Sequence, residues 1–246
     1  MHPQQVALIT GASRGIGAAI ALRLAEDGFA VVVNYAGNMA EADKVVASIH
    51  AMGGRAIALQ ADVADPAAVA ALFEQTIAQL GRIDVLVNNA GILPAQLPPL
   101  ADTDDQTFDR LVAVNLKGSF NTMRSAVAHL QQGGRIINFS SSLTGLALPG
   151  YAVYAATKAG IEVMSTILAK ELRGRGICVN AVAPGPTATA LFLDGKTPDT
   201  IARLGKMAPL ERLGQPDDIA AVVAFLAGPD GRWVNGQTLR ANGGIV

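Results

Sequence analysis

Short β-branched runs alternate with longer alanine-rich segments along the whole chain, and this alternation constrains the fold more than any other feature. Each run is apolar and punctuated at one end by Gly, Asn or Pro, as in a parallel sheet buried on both faces. The runs lie at residues 6–10, 30–34, 56–60, 85–88, 135–139, 178–183 and 237–240. Segments of helical periodicity lie at residues 15–27, 40–51, 66–80, 104–131, 153–173 and 216–227. The pattern predicts an α/β fold with a doubly wound parallel sheet, in which residues 1–246 form a single domain.

The stretch at residues 184–209 is the least regular part of the chain, with prolines, glycines and no clear strand. A plain surface connection would explain it. A long irregular segment late in such a sheet is more often a mobile element over the site. We therefore predict a substrate lid within residues 184–209.

A glycine-rich turn, residues 10–17, follows the first predicted strand and opens the first predicted helix. Glycine allows a tight turn and lets backbone N–H groups approach a pyrophosphate, and the positive end of the helix dipole attracts that anion. The strand–turn–helix context is the one in which dinucleotides bind, which predicts a Rossmann fold. The residues of the turn predicted to bind the cofactor are Gly11, Ser13, Arg14, Gly15, Ile16 and Gly17.

The end of the second predicted strand indicates which nicotinamide cofactor binds. An NAD(H) site usually has a carboxylate there for the ribose 2′-OH, but this chain has Asn34, Tyr35 and Ala36, and no carboxylate before Glu41. Arg14 is placed to bond a 2′-phosphate, although it could also be only a solvated loop residue. NADP(H) is therefore favoured over NAD(H).

Tyr154 and Lys158 stand four residues apart in a predicted helix, which stacks them on one face. A nearby ammonium favours the phenolate and suits a tyrosine for acid/base work. The pair alone is weak evidence for catalysis, because tyrosine and lysine also occur at this spacing by chance. It gains weight because residues 88–91, 140–142 and 184–186 also follow predicted strands, at the edge where open parallel sheets bind ligands.

Together these motifs resemble the short-chain dehydrogenase/reductase family, in its compact single-domain branch, over essentially the whole chain. The glycine turn matches the family's cofactor turn, residues 88–91 its Asn-Asn-Ala-Gly segment, and Tyr154 with Lys158 its Tyr-x-x-x-Lys motif. Ser141, thirteen residues before Tyr154, has the family's usual offset for the catalytic serine. Asn115 matches the family's fourth catalytic residue.

The resemblance implies a role for each of these four residues. Tyr154 would give a proton to the carbonyl oxygen in reduction, or remove it in oxidation. Lys158 would bond the nicotinamide ribose and lower the pKa of Tyr154. Ser141 would bond the substrate oxygen, with Ser142 left open as the alternative, and Asn115 would hold a water that relays protons to Lys158.

Further cofactor contacts and an oligomeric state are implied in the same way. Asp62 and Val63 would lie against the adenine, and Thr187 near the carboxamide. The remaining cofactor positions lie at the carboxyl ends of predicted strands: Asn34, Tyr35, Asn88, Ala90, Gly91, Pro184 and Gly185. The family resemblance also implies a homotetramer.

Charge and composition exclude several classes of function. A formal net charge of −1 offers no basic field for nucleic acid or an anionic membrane surface. No apolar run reaches the roughly 18 residues that span a bilayer. The single cysteine, Cys178, rules out an internal disulfide and fits a reducing compartment, so a cytoplasmic location is predicted. His2, His50 and His129 show no ligand spacing with Cys178, so no metal is expected. The resemblance implies that the substrate is a small molecule.

Two alternatives to a general carbonyl reductase remain open. Within the family the chain also resembles 3-oxoacyl-carrier-protein reductases, whose members that dock the acidic carrier present basic residues beside the crevice. Arg175 occupies one such place, whereas residues 131–134, Gln-Gln-Gly-Gly, leave the other without charge. A non-catalytic dinucleotide sensor on the same fold is the second alternative, but it would be expected to have lost one of the four catalytic residues.

Overall fold

A seven-stranded parallel sheet forms the centre of the protein in the computed structural model, which describes residues 4–94 and 98–246. The strands are β1 (Val6–Ile9), β2 (Ala30–Tyr35), β3 (Ala56–Gln60), β4 (Val85–Asn88), β5 (Arg135–Phe139), β6 (Cys178–Pro184) and β7 (Thr238–Ala241). They lie in the order β3-β2-β1-β4-β5-β6-β7, and each neighbouring pair is parallel. The predicted doubly wound parallel sheet is confirmed, and each predicted strand agrees with the observed one to within one residue at either end.

Helices cover both faces of this sheet. They are α1 (Gly15–Glu26), α2 (Met39–Ala51), α3 (Pro66–Leu80), α4 (Asp105–Leu111), α5 (Gly118–His129), α6 (Leu143–Leu146), α7 (Ala152–Glu171), α8 (Ala190–Leu193), α9 (Pro198–Gly205) and α10 (Pro216–Ala227). A π-helical segment at Val112–Lys117 joins α4 to α5, and 3₁₀ turns occur at Leu100–Asp102 and Pro229–Trp233.

Two apolar cores lie on opposite faces of the sheet, because successive strand residues point to opposite sides. Ile9 and Val33 pack in the core beneath α1, α2 and α10. Leu8 and Val32 pack in the core beneath α3, α5 and α7. Residues of β1, β2 and β4 are buried throughout, which is why these strands appear in the sequence as continuous apolar runs rather than as alternating patterns.

The helix predicted at residues 104–131 proves to be three successive segments. Its backbone stays right-handed helical at both junctions, but the middle segment, Val112–Lys117, is π-helical. A π-turn accommodates one extra residue and commonly marks a functional site. The segment carries Asn115, one of the four predicted catalytic residues.

The stretch predicted as an irregular lid contains α8 and α9 rather than irregular backbone throughout. Both are short helices capped by threonine side chains, Thr189 and Thr197. The start of the stretch is tied to the chain beyond its end, because Thr187 forms a parallel bridge with Gly214 and the Ala188 N–H donates to the Gly214 carbonyl at 2.8 Å. Residues 187–214 thus leave and rejoin the domain at one place.

Candidate active site

The four segments singled out in the sequence meet at the carboxyl edge of the sheet. The glycine turn follows β1, residues 88–91 follow β4, the three serines follow β5 and residues 184–187 follow β6. The chain winds in opposite directions from β1 and from its neighbour β4, which creates a crevice between them. Ligands of open α/β sheets bind in such a crevice.

The glycine turn has the backbone conformation that only glycine adopts without strain. Gly11 and Gly15 have φ angles of 61° and 57°. At Gly17 a Cβ would lie 2.4 Å from the carbonyl oxygen of Gly11, so a side chain cannot be accommodated. Asn89 holds the turn, because its side-chain N–H group donates to the carbonyls of Thr10 and Gly11 at 3.0 Å each. Sequence reasoning missed Asn89, which reads as one more polar turn residue.

The start of α1 fits a phosphate group. No side chain caps this helix and its first turn carries no acidic residue, whereas α2 is capped by Asn38 and α3 by Asp65. The first backbone N–H groups of α1 therefore remain available to an anion. Arg14 is exposed directly before the helix, and no ion pair of its guanidinium occurs among the described residues. Ser13 and Ile16 lie in the same turn, both partly buried.

Asn34 and Tyr35 lie at the predicted end of β2, but both side chains are buried. The Asn34 amide accepts from the Gly11 N–H at 3.3 Å and donates to the carbonyls of Leu59 and Ala61. Tyr35 is 5% exposed and belongs to the core beneath α1 and α2. Asn34 therefore ties the glycine turn to β3, and any contact of Tyr35 with a cofactor would come from its backbone.

Asp62 and Val63 lie after β3, beside the start of α5. The Asp62 carboxylate accepts the Ala64 N–H at 2.9 Å, and Val63 is held through its carbonyl, which accepts from Asn121 at 2.9 Å. Gly118 has no room for a side chain, because a Cβ there would lie 2.6 Å from Val63. The close approach of α5 therefore fixes this wall of the crevice.

The other predicted cofactor positions mainly shape the backbone around the crevice. Asn88 donates to Asn138 at 2.7 Å, and the Ala90 N–H donates to the Thr10 hydroxyl at 3.1 Å. Pro184 ends β6. Gly185 lies so close to Asn242 that a Cβ would be 2.8 Å away.

Lys158 is buried within reach of several segments of the site. Its ammonium donates to the Phe139 carbonyl at 2.9 Å and lies 5.7 Å from the centre of the Tyr154 ring. A Cβ on Gly91 would be 3.5 Å from the ammonium and 3.3 Å from the Asn115 side-chain oxygen, so Gly91 fits closely against both. Burial lowers the pKa of Lys158 to about 8, because desolvation penalises the charged amine.

Tyr154 differs from the sequence expectation in its acidity. Burial raises the pKa of Tyr154 to about 12, and a hydrogen bond with Ser141 lowers it only in part. The lowering expected from Lys158 is not found, because desolvation of the phenolate outweighs the other influences. The spacing of the two residues predicted their proximity but carried no information on burial.

Ser141 and Ser142 are adjacent, but their hydroxyls point to different partners. The Ser141 hydroxyl interacts with the Tyr154 phenol and accepts the Leu143 N–H at 3.2 Å. The Ser142 hydroxyl donates to the Ala183 carbonyl at 3.2 Å and accepts from Asn242 at 2.9 Å. Only Ser141 therefore has its hydroxyl beside Tyr154.

Asn115 is buried in the π-helical segment, and its side chain holds the backbone after β4. Its amide oxygen accepts the Ile92 N–H at 2.8 Å, and its amide nitrogen donates to the Ile92 carbonyl at 2.9 Å. Its own carbonyl accepts from the Ser119 hydroxyl at 2.9 Å. These bonds connect the π-helical segment to the loop that carries Gly91.

A small pocket, partly open to solvent, lies beside Tyr154. Its lining comes from the proline-containing segment after β4, from α4 and from the start of α7: Pro94, Pro98, Thr103, Thr107, Leu111, Gly150, Val153 and Tyr154. Thr189, within the predicted lid, lies close to Gly15, since a Cβ on that glycine would be 3.4 Å from its methyl group. The crevice thus has a mostly apolar wall next to the phenol.

In residues 4–94 and 98–246, no three His, Cys, Asp or Glu side chains form a group that could hold a metal ion. None of the helices described there is both long and apolar enough to cross a bilayer.

Known proteins resemble the chain over nearly its full length. The profile of a family described as enoyl-(acyl carrier protein) reductase matches residues 11–246. A short-chain type dehydrogenase/reductase of Picea abies is 46% identical over 98% of this chain and 92% of its own. The 3-oxoacyl-[acyl-carrier-protein] reductase FabG of Staphylococcus aureus is 45% identical over 100% of this chain and 99% of its own. A crystallised short-chain dehydrogenase of Burkholderia cenocepacia in complex with NADP is 41% identical, with a TM-score of 0.92 over 100% of this chain and 99% of that one.

Proposed function

Because the chain belongs to the short-chain dehydrogenase/reductase family, we propose that it is an oxidoreductase that uses NADP(H) to interconvert a carbonyl and a secondary alcohol. The proposal rests on the convergence of Ser141, Tyr154 and Lys158 beside a glycine turn that fits a dinucleotide phosphate. The nicotinamide, when bound, supplies or accepts the hydride. The side chains orient the substrate and move the proton.

Tyr154 is the proton donor when a carbonyl is reduced. With a pKa of about 12, its phenol is protonated at neutral pH and has a proton to give to the carbonyl oxygen. Ser141 donates a hydrogen bond to the same oxygen and stabilises the charge that develops there. We assign this role to Ser141 rather than Ser142, because Ala183 and Asn242 already engage the Ser142 hydroxyl.

Lys158 holds the nicotinamide ribose and returns a proton to Tyr154 after each turnover. Its pKa of about 8 suits this second task, since an amine that titrates near neutrality exchanges protons readily. The side chain of Asn115 is bonded at both ends to Ile92, whereas its main-chain carbonyl accepts from Ser119 and keeps a second lone pair, so we assign the water relay to that carbonyl.

The preference for NADP(H) over NAD(H) depends on charge at the end of β2. With the Asn34 and Tyr35 side chains buried, no carboxylate there repels a 2′-phosphate, and the exposed guanidinium of Arg14 is free to bond it. The relative crystallised with NADP supports the same cofactor.

Replacing the phenol tests the function directly. Tyr154→Phe is expected to lower kcat by at least 10²–10⁴-fold with little change in NADPH affinity, because the hydroxyl serves proton transfer. NADPH consumption with a panel of ketones measures the rate, and fluorescence titration measures the affinity. Wild-type protein that binds NADPH but reduces nothing on the panel would favour the non-catalytic sensor. A variant that retains more than about a tenth of the wild-type rate would contradict the acid/base assignment.

Reduction of 3-oxoacyl groups on a carrier protein is the second candidate, favoured by the 45% identity to the Staphylococcus aureus enzyme. Arg175, the basic residue expected to dock the carrier, donates instead to the carbonyls of Val127 and Leu130 at 2.6 and 3.0 Å. This engagement leaves its guanidinium less free to meet an acidic partner. A comparison of kcat/KM for an acetoacetyl thioester on the carrier with that for the free thioester separates the two functions.

Assembly, the lid and location complete the proposal. We assign a homotetramer, because α4, α5 and α7 expose large apolar side chains: Phe108, Phe120, Val163 and Ile167. Residues 184–209 act as the substrate lid, since Thr187 near their start is bridged to Gly214 beyond their end and Thr189 faces the glycine turn. The substrate is a small molecule, and the protein works in the cytoplasm.

A further inference from the structure

Glu162 lies on α7 four residues beyond Lys158, which itself lies four residues beyond Tyr154. At this spacing the three side chains follow one face of the helix. The Glu162 carboxylate is partly buried, and one of its oxygens accepts hydrogen bonds from two hydroxyl groups. One belongs to Ser140, and the other to Thr144 at 3.2 Å.

These two partners bracket Ser141 in the chain. Ser140 precedes it, and Thr144 lies one turn after it at the start of α6. The Thr144 hydroxyl is also 2.9 Å from the Ser141 carbonyl, and the Thr144 N–H donates to that carbonyl at 3.1 Å. Glu162 is therefore connected to both ends of the short segment that carries the Ser141 hydroxyl.

We propose that Glu162 is a positioning residue, which ties the Ser140–Thr144 segment to α7 and so fixes the Ser141 hydroxyl relative to the Tyr154 phenol. This inference rests on the proposed function, in which both groups act on one substrate oxygen. The Glu162 carboxylate bonds to the Ser140 and Thr144 hydroxyls, so it acts through this segment rather than on the substrate.

The chemistry of the carboxylate suits this task. An ionised carboxylate only accepts hydrogen bonds, so the Ser140 hydroxyl directs its proton to it, whereas the single proton of the Thr144 hydroxyl is shared between the carboxylate at 3.2 Å and the Ser141 carbonyl at 2.9 Å. Such charge-assisted bonds are about twice as strong as neutral ones. The other acceptor near the Ser140 hydroxyl, the Lys158 carbonyl, is 3.5 Å away and holds it only weakly. Without the carboxylate, this segment keeps its backbone bonds and the weak bond from Ser140 to the Lys158 carbonyl, but loses its strong side-chain connection to α7.

Three variants of the full-length enzyme test the proposal. Glu162→Leu removes the acceptor at similar size, and Glu162→Gln keeps an amide oxygen that can accept from both hydroxyls. Glu171→Leu, at the exposed end of the same helix, is the matched control. Glu162→Leu is expected to lower kcat about 10- to 100-fold, since a misplacement of about 1 Å can cost about 10²-fold. Glu162→Gln should restore most of the rate, and the control should match wild type.

A further measurement separates positioning from general loss of structure. Because Ser141 holds down the pKa of Tyr154, a displaced Ser141 should move the pH profile of alcohol oxidation to higher pH, and Ser141→Ala should move it in the same direction. NADPH affinity and the midpoint of thermal unfolding should stay near wild type. Thr144→Val should lower kcat by itself, and should add little to Glu162→Leu, because both changes break one connection.

The outcomes distinguish failure of this inference from failure of the proposed function. If Tyr154→Phe is inactive while Glu162→Leu keeps the wild-type kcat and pH profile, the positioning role is refuted and the function stands. If Glu162→Leu and Thr144→Val lower kcat additively, with no change in the pH profile, the positioning role is also refuted. If Tyr154→Phe keeps full activity, the proposed function fails, and the inference fails with it.

Discussion

Replacing Lys158 with methionine removes a positive charge from the protein interior while keeping a side chain of similar length. Lys158 is 4% exposed, and burial lowers the pKa of its amine from 10.5 to about 8. At roughly 1.36 kcal/mol per pKa unit, this difference means that the charged amine costs the folded state about 3 kcal/mol at pH 7. Methionine carries no such cost.

The sign of the pH dependence follows from the direction of the shift. The folded-state pKa lies below the unfolded-state value, so between pH 8 and 10.5 the unfolded chain binds more protons. The wild-type free energy of unfolding should therefore rise with pH across that window. From pH 7 to pH 9 the rise should be about 1 kcal/mol. The methionine variant lacks this contribution.

An opposing loss limits the stabilisation. Lys158 donates to the Phe139 carbonyl at 2.9 Å, and leaving that buried carbonyl without its partner costs about 1–3 kcal/mol. Lys158→Met should thus be as stable as wild type at pH 7, or more stable by up to about 2 kcal/mol, while turnover is lost.

Urea unfolding at equal protein concentrations, at pH 7 and pH 9, provides the assay. The variant should lose about 1 kcal/mol of its advantage over wild type between the two pH values. A variant with the same pH dependence as wild type would show that Lys158 does not carry the buried charge. A variant less stable than wild type by more than about 2 kcal/mol at pH 7 would show that the hydrogen bond outweighs desolvation.

Three further predictions concern cofactor choice, stability and assembly. Arg14→Ala should lower kcat/KM with NADPH about 10- to 150-fold, because a charge-assisted bond to the 2′-phosphate is worth about 1.5–3 kcal/mol, and should leave kcat/KM with NADH unchanged. Equal losses with both cofactors would mean that Arg14 only holds the turn. Arg175→Met should lower the free energy of unfolding by about 1–3 kcal/mol, since two carbonyls at the end of α5 lose their donor, with kcat for free ketones unchanged. A loss of kcat at unchanged stability would contradict this. Light scattering at micromolar concentration should give the mass of a tetramer, and a monomeric mass would oppose the assembly proposed.

The sheet was predictable from the sequence because its central strands β1, β2 and β4 are buried on both faces. Continuous runs such as Val31-Val32-Val33 leave no doubt about strand type in a parallel sheet. The proximity of Tyr154 and Lys158 followed from helical spacing alone. The acidity of Tyr154 did not, because desolvation depends on segments far apart in the chain.

Other features left little trace in the sequence because their partners are backbone atoms. Asn89 and Arg175 donate to main-chain carbonyls 45 or more residues away. Because every residue type carries such a carbonyl, the sequence does not indicate which residue is the partner. Tyr35 was expected near the cofactor phosphate because it ends β2. Its ring points into the core instead, since alternate residues of a strand face opposite sides.

The π-helical segment gives the site a point of fragility to insertions and deletions. A π-turn holds one residue more than the α-turn it replaces, so a one-residue deletion within Val112–Lys117 that restored regular α-helix would leave the residues of α4 and α5 on their present faces. Gly118 would stay against Val63, but the side chains inside the segment would change direction, and Asn115 would turn away from Ile92. The sheet and both cores would survive such a change. In a lineage of related genes, one lost codon at this place could therefore silence the enzyme while leaving the domain able to fold.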